Sequence, residues 1–261
     1  MAACREHGFG VLLSPLTVRD GRIVDMSGHA QPITGLPFVI DNGVWSCHVA
    51  GVEWTEAPMR RLVERIGLSQ PGGYWREGLG RGFLVLPDFV GDGQASLARS
   101  IAWWTANRNG WVSDCVATYL LAVQDGMTVA QVRDVLETYR ISGVFVGGST
   151  SWKWATVHDW AELGLDIGVT VHVGRVNSLR RAMLCRDLGI SSFDGSSVSR
   201  YADTAPKLAR ACDGTDLPLP PPGRAREHLS RPQHERIVEI EPRARHAIAE
   251  RRFRLALGAA A

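Results

Sequence analysis

Lysine is almost missing from this chain. Lys153 and Lys207 are the only two, and the remaining 27 basic residues are arginine. Against 27 acidic residues this leaves a formal net charge of +2. That is too little for a broad field that would grip nucleic acid by charge alone. A GC-rich coding bias and selection for bidentate phosphate contacts both give such an arginine excess.

Paired cysteines are missing as well. Cys4, Cys47, Cys115, Cys185 and Cys212 are scattered and odd in number, and none forms a C-x-x-C. That spacing signals neither a disulfide framework nor a zinc ribbon, and a reducing cytoplasm is the expected setting. No apolar run reaches the roughly 18–20 residues of a transmembrane helix. The opening MAACREHGFGVLLSP has a short apolar run but no basic leader or small-residue cleavage site, so a cytoplasmic protein without membrane attachment is expected. There is no His-x-His, and no G-x-G-x-x-G follows the first apolar run. Beyond the strand–helix unit no repeat of 20–50 residues is visible.

What remains is an ordinary globular composition over 261 residues, 45% hydrophobic and 21% charged, which excludes a disordered, collagen-like or coiled-coil chain. Seven short apolar runs recur, each ending in polar residues or glycine: Phe9–Pro15, Pro37–Gly43, Arg81–Phe89, Ala117–Gly126, Gly143–Gly148, Asp166–Gly174 and Gly189–Gly195. Most are continuous rather than alternating, which suits strands buried on both faces. Helical patterns lie between them, over Ala57–Ile66, Gly93–Asn109, Thr128–Tyr139, Thr156–Leu163 and Ser178–Leu188. Thr128 reads as one N-cap, and Asn177 or Ser178 as another. Repeated β–α units predict parallel strands with right-handed crossovers. The expected fold is α/β, a (β/α)8 TIM-type barrel over residues 1–212, with a doubly wound open sheet as the alternative. From Asp213 the Pro-rich DGTDLPLPPPGR and an Arg-rich, helically spaced stretch predict a linker and C-terminal helix over 213–261.

In a barrel, residues just past the C-terminal strand ends share one mouth. Asp41, Asp88, Asp125 and Asp194 all fall at such positions. Each alone is equally able to cap a following helix. Several together suggest chemistry at a sugar carbon, where two carboxylates divide the work. Gly147-Gly148 ends its strand with backbone N–H groups accessible to a carbonyl or phosphate.

The order of these motifs resembles the tRNA-guanine transglycosylase superfamily, which exchanges guanine for a deazaguanine at a glycosidic bond. IDNGVW resembles the family's Asp-Ser-Gly-Gly-Phe segment, and FLVLPDFVGDGQASLARSIAWW its strand ending in a base-reading Asp. AVQDG is similar to its Val-Gln-Gly-Gly, FVGGSTSWKW to its Ile-Gly-Gly-Leu loop, and SSFDGSS to its Phe-Asp-Cys segment. The run VHVGRVNSLRRAMLCRDLGISSFD resembles the family's strand–helix–strand spacing that leads into its nucleophilic Asp. Asn42 and Val44 replace the family's Ser and second Gly, and its Cys-x-Cys-x-x-Cys zinc site is absent. The resemblance, over about Phe38 to Arg200, is therefore best to the branch acting on DNA, the deazaguanine DNA transglycosylases.

That resemblance implies a nucleophilic Asp194 that forms a covalent glycosyl-enzyme, and Asp41 as general acid and base. It implies Asp88 and Gln124 on the base edge, and Gly147 and Gly148 N–H groups on its carbonyl. Neither metal nor cofactor is expected. The implied partners are nucleic acid (DNA in preference to tRNA), a free deazaguanine and an accessory protein. Trp45 and Trp152 are open to base stacking or to core packing, and His48 and His172 to lining a pocket or to a structural role. Arg175, Arg180, Arg181 and Arg200 are open to phosphate contact or plain solvation. A silent subunit assisting an active enzyme is a second possibility. A metal-dependent barrel hydrolase is a weaker third, because only His172 sits at a strand end.

Overall fold

From Gly82 onward strands and helices alternate along the chain, as the apolar runs require. The computed structural model describes residues 7, 9–15, 18–19, 22–24, 30–31, 37–69, 82–110, 118–196 and 204–213. They fall in two compact units, Met1–Phe145 and Val146–Ala261. The Pro-rich linker and C-terminal helix expected over 213–261 lie outside the described residues but for Asp213.

In the first unit the parallel strands are β1 (Val11–Leu13), β5 (Phe38–Ile40), β6 (Gly82–Val85), β7 (Tyr119–Val123) and the start of β8 (Gly143–Val146), neighbouring one another in that order. β1 pairs with β5, β5 with β6, and β6 with β7, all parallel. Every residue of β7 is buried, as its unbroken apolar run demands of a strand covered on both faces. Val39, Val85 and Ala122 form a core cluster against which Phe83 and Phe145 pack. A small antiparallel sheet, β2 (Val18–Arg19), β3 (Arg22–Val24) and β4 (Ala30–Gln31), was not foreseen.

In the second unit, Gly174 at the end of β9 (Thr170–Val173) donates its N–H to Val146 O at 3.1 Å. β9 pairs in parallel with β10 (Ser192–Phe193). The α/β architecture and all seven expected strand positions are thus present. The eighth strand that would close a barrel is not among the described residues.

The helices begin where polar side chains satisfy their first N–H groups. Asp92 accepts from Ala95 N at the start of α3 (Gly93–Asn107), and Thr128 with Gln131 makes a capping box for α4 (Val129–Tyr139). Ser149 caps α5 (Thr150–Ile167), and Ser178 caps α6 (Leu179–Asp187). α5 therefore starts well before the expected Thr156, because Ser-Thr-Ser resembles a loop in sequence but supplies the cap. α1 (Val44–Ala50), between left-handed Gly43 and Gly51, was also unforeseen. α2 (Glu56–Ser69) and α7 (Thr204–Asp213) complete the set. Among the described residues no helix is long and apolar enough to cross a membrane.

Candidate active site

The caps decide the alternative role of three strand-end carboxylates, Asp41, Asp88 and Asp125. Asp92, not Asp88, caps α3, and Thr128, not Asp125, caps α4. Gly43 stands at the N-cap of α1, two residues after Asp41. None of the three caps the helix that follows its strand.

In the first unit, three adjacent strand ends bring a polar group together. Ile40 is in register with Leu84, which puts Asn42 beside Leu86. Asn42 Nδ2 donates to Leu86 O at 2.8 Å and to Asp88 Oδ1 at 3.0 Å. Gln124, past the end of β7, donates through Nε2 to Asp88 Oδ2. Asn42, Asp88 and Gln124 are all buried. Asn42 in turn accepts from Val44 N at 2.9 Å through Oδ1, and from Trp54 Nε1 at 2.8 Å through its backbone carbonyl. A serine at this position has one O–H to donate and could not serve Leu86 and Asp88 together. Arg99 Nη1 donates to Asp88 O at 2.9 Å, and its guanidinium lies over the exposed Phe89 ring, 5.1 Å from the centroid. Burial pushes the Asp88 carboxyl above the usual carboxylate range, only partly offset by Asn42, Gln124 and the Arg99 charge. Asp41 sits half-buried at the end of β5, its N–H donating to Leu13 O at 2.8 Å. Trp45 is exposed and stacks on His48.

In the second unit, Asp194 ends β10 with both carboxylate oxygens engaged. Oδ1 lies 3.0 Å from His172 Nε2, and Oδ2 accepts from the Arg175 N–H at 3.1 Å. His172 Nδ1 is 2.8 Å from Ser192 Oγ. With Ser192 donating, Nδ1 is the acceptor and the Nε2–H proton points at Asp194. His172 is 1% exposed and the Asp194 side chain 21%. The carboxylate is thus the member of the pair that solvent reaches, and the imidazole is buried. Burial alone would raise the Asp194 pKa. The His172 hydrogen bond, the Arg175 N–H and the Lys153 charge outweigh it and hold the carboxyl below its ordinary value.

Lys153 was not among the expected site residues. It is 1% exposed, and its Nζ donates to Gly174 O. Burial, then the charges of Arg175 and Arg181 opposed by Asp194, brings its pKa down to about 8. One signal for it was in the sequence: Lys153 falls in register with Val157, Trp160 and Gly164, the buried stripe of α5, where a charge is out of place. Gly147 and Gly148 are buried, and Gly148 O accepts from Arg175 Nη2 at 2.5 Å. Trp152 is half-buried in a tilted contact with Trp160, and the Arg181 guanidinium lies 4.9 Å from the Trp154 ring centroid. Arg200 lies outside the described residues.

Gly195 completes the setting by close approach. A Cβ there would stand 2.2 Å from Val176 O, a backbone atom that cannot swing aside. Val176 N–H also donates to Asp194 O at 2.6 Å, so the two turns are locked together. Gly195→Ala is expected to force them apart at a cost of about 1–3 kcal/mol. The Arg175 N–H would be withdrawn from Asp194. Chemical unfolding of the variant beside wild type checks the cost.

Among the described residues no three His, Cys, Asp or Glu side chains gather as a metal ion would require. No protein-family model matches the chain, and no curated protein matches it either.

Proposed function

We propose that the protein is a base-exchange transglycosylase that replaces guanine in nucleic acid, DNA in preference to tRNA, with a 7-deazaguanine derivative. The observation that carries this is the part-exposed Asp194 carboxylate, kept anionic by a buried histidine and a buried lysine. A group built that way is suited to attack on carbon rather than to proton transfer, which needs a pKa near the working pH.

In the first half-reaction an Asp194 oxygen attacks C1′ of the target nucleotide. The C1′–N9 bond breaks, and guanine leaves with a proton from Asp41. In the second, a free deazaguanine yields its N9 proton to Asp41 and attacks C1′, and the ester bond electrons return to Asp194. Two displacements retain the sugar configuration. Asp88 suits the base edge because guanine N1–H and N2–H present two parallel donors to a carboxylate. A carboxylate already withdrawn from water gains more from such donors than a solvated one. Gln124 supports that edge, and the Gly147 and Gly148 N–H groups meet the carbonyl. The target base must leave its stack, which costs a few kcal/mol. An eighth strand closes the (β/α)8 barrel, the protein works in the cytoplasm, and no cofactor takes part.

The test is release of labelled guanine from DNA and from tRNA in the presence of a deazaguanine panel. Release from DNA alone is expected. Release from tRNA alone would move the acceptor to RNA, and release from neither would favour a silent subunit that needs a partner. Asp88→Asn exchanges one acceptor for a donor, so guanine release should fall at least about a hundredfold. Preference should turn toward a base with C=O beside N–H, read in the same assay with xanthine-containing DNA.

A further inference from the structure

The two oxygens of Asp194 are held differently. Oδ1 meets the imidazole of His172, which is buried and itself fixed by Ser192; among the described residues Oδ2 meets only the Arg175 backbone N–H, on an exposed residue. Resting on the transferase reading above, we propose that Oδ2 forms the bond to C1′, and that His172 is a positioning residue whose N–H on Oδ1 makes Asp194 a better leaving group in the second half-reaction.

The chemistry follows the charge. In the free enzyme the carboxylate is anionic and the His172 N–H bond to it is charge-assisted and strong. When Oδ2 bonds to C1′ and the C1′–N9 pair leaves with guanine, Oδ1 becomes the carbonyl oxygen of a neutral ester, and the same bond weakens. When N9 of the incoming base displaces the ester, the Oδ2–C1′ electron pair returns to the carboxylate and the bond strengthens again. An interaction stronger in the product of a step than in its reactant lowers that step's barrier. His172 therefore favours breakdown of the glycosyl-enzyme and restrains its formation. Ser192 takes part by accepting nothing from Nδ1: its O–H donates there and keeps the proton on Nε2.

The experiment follows the covalent species itself. Wild-type protein, His172→Leu and His172→Gln are mixed with a guanine-containing DNA duplex and a deazaguanine, quenched in denaturant, and resolved as free and DNA-linked protein, with base exchange measured in parallel. In His172→Leu the DNA-linked fraction should rise while net exchange falls by about tenfold to a hundredfold, the scale of one charge-assisted hydrogen bond. Glutamine places an N–H near the position of Nε2 and should restore wild-type partitioning. Ser192→Ala, at a half-buried site, gives the same shift to a smaller degree and serves if His172→Leu does not fold. Active wild type with no rise of the linked fraction in the leucine or alanine variants would overturn the role of His172 and leave the transferase standing. Wild type that exchanges no base in DNA or tRNA would overturn both.

Discussion

Asp194→Asn should abolish base exchange, by at least about a thousandfold, while leaving the fold intact. An amide is a poor nucleophile and cannot carry the charge that returns when the glycosyl bond breaks. The fold survives because the neighbouring groups can adapt. The amide oxygen accepts from the Arg175 N–H, and the amide NH2 then faces His172 Nε2. The imidazole answers by moving its proton to Nδ1, with Ser192 Oγ turning from donor to acceptor. Every polar atom of the group keeps a partner, so the stability loss should be no more than about 1–2 kcal/mol, much of it the lost ionic attraction. Unfolding curves and exchange rates of the same preparation check the two halves together. A folded Asp194→Asn protein that still exchanges bases would remove the nucleophile from Asp194.

Lys153 should give the protein an unusual gain in stability under alkaline conditions. Its pKa of about 8 in the folded protein lies below the ordinary 10.5. Between those values the unfolded chain holds a proton that the folded chain has released. Stability then rises with pH across the window, levels off above it, and is lowest below pH 8 where the buried ammonium must be kept charged. The full rise is about 3 kcal/mol. Lys153→Met has nearly the same length and no charge, so its stability should lack this rise. Subtracting the variant's urea unfolding profile from the wild type's over pH 7–11 removes the titration of other groups. A flat difference would mean that Lys153 is not buried as a cation. The variant should also lose activity, because Asp194 loses one of the charges that keep it ionised.

How much of this was legible in the sequence divides along physical lines. The seven strands of the larger sheet were, because strands buried on both faces leave unbroken apolar runs such as Tyr119–Val123, whereas the short β2, β3 and β4 were not. The caps at Thr128 and Ser178 were also legible, since an N-cap is a local signal. Asp88 and Asp194 were singled out because strand ends mark where polar groups gather, whereas Gln124 entered only through the resemblance to a known family. Asn42 was seen as a departure from a familiar pattern. Its function, a double donor to Leu86 and Asp88, depends on the register of β5 with β6, which no local pattern records. His172 was left between a structural and a pocket role, and its tie to Asp194 joins residues 22 positions apart. The early start of α5 was missed because Ser149 and Thr150 look like a loop until the cap is seen.

The most direct measurement is peptide mass spectrometry of the protein quenched in acid during reaction with guanine-containing DNA and no incoming base. If Asp194 is the nucleophile, a deoxyribosyl adduct should appear on the peptide containing Ser192, Phe193 and Asp194, and be lost in Asp194→Asn. Guanine release without any adduct, or an adduct on Asp41 or Asp88 in its place, would contradict a nucleophilic Asp194.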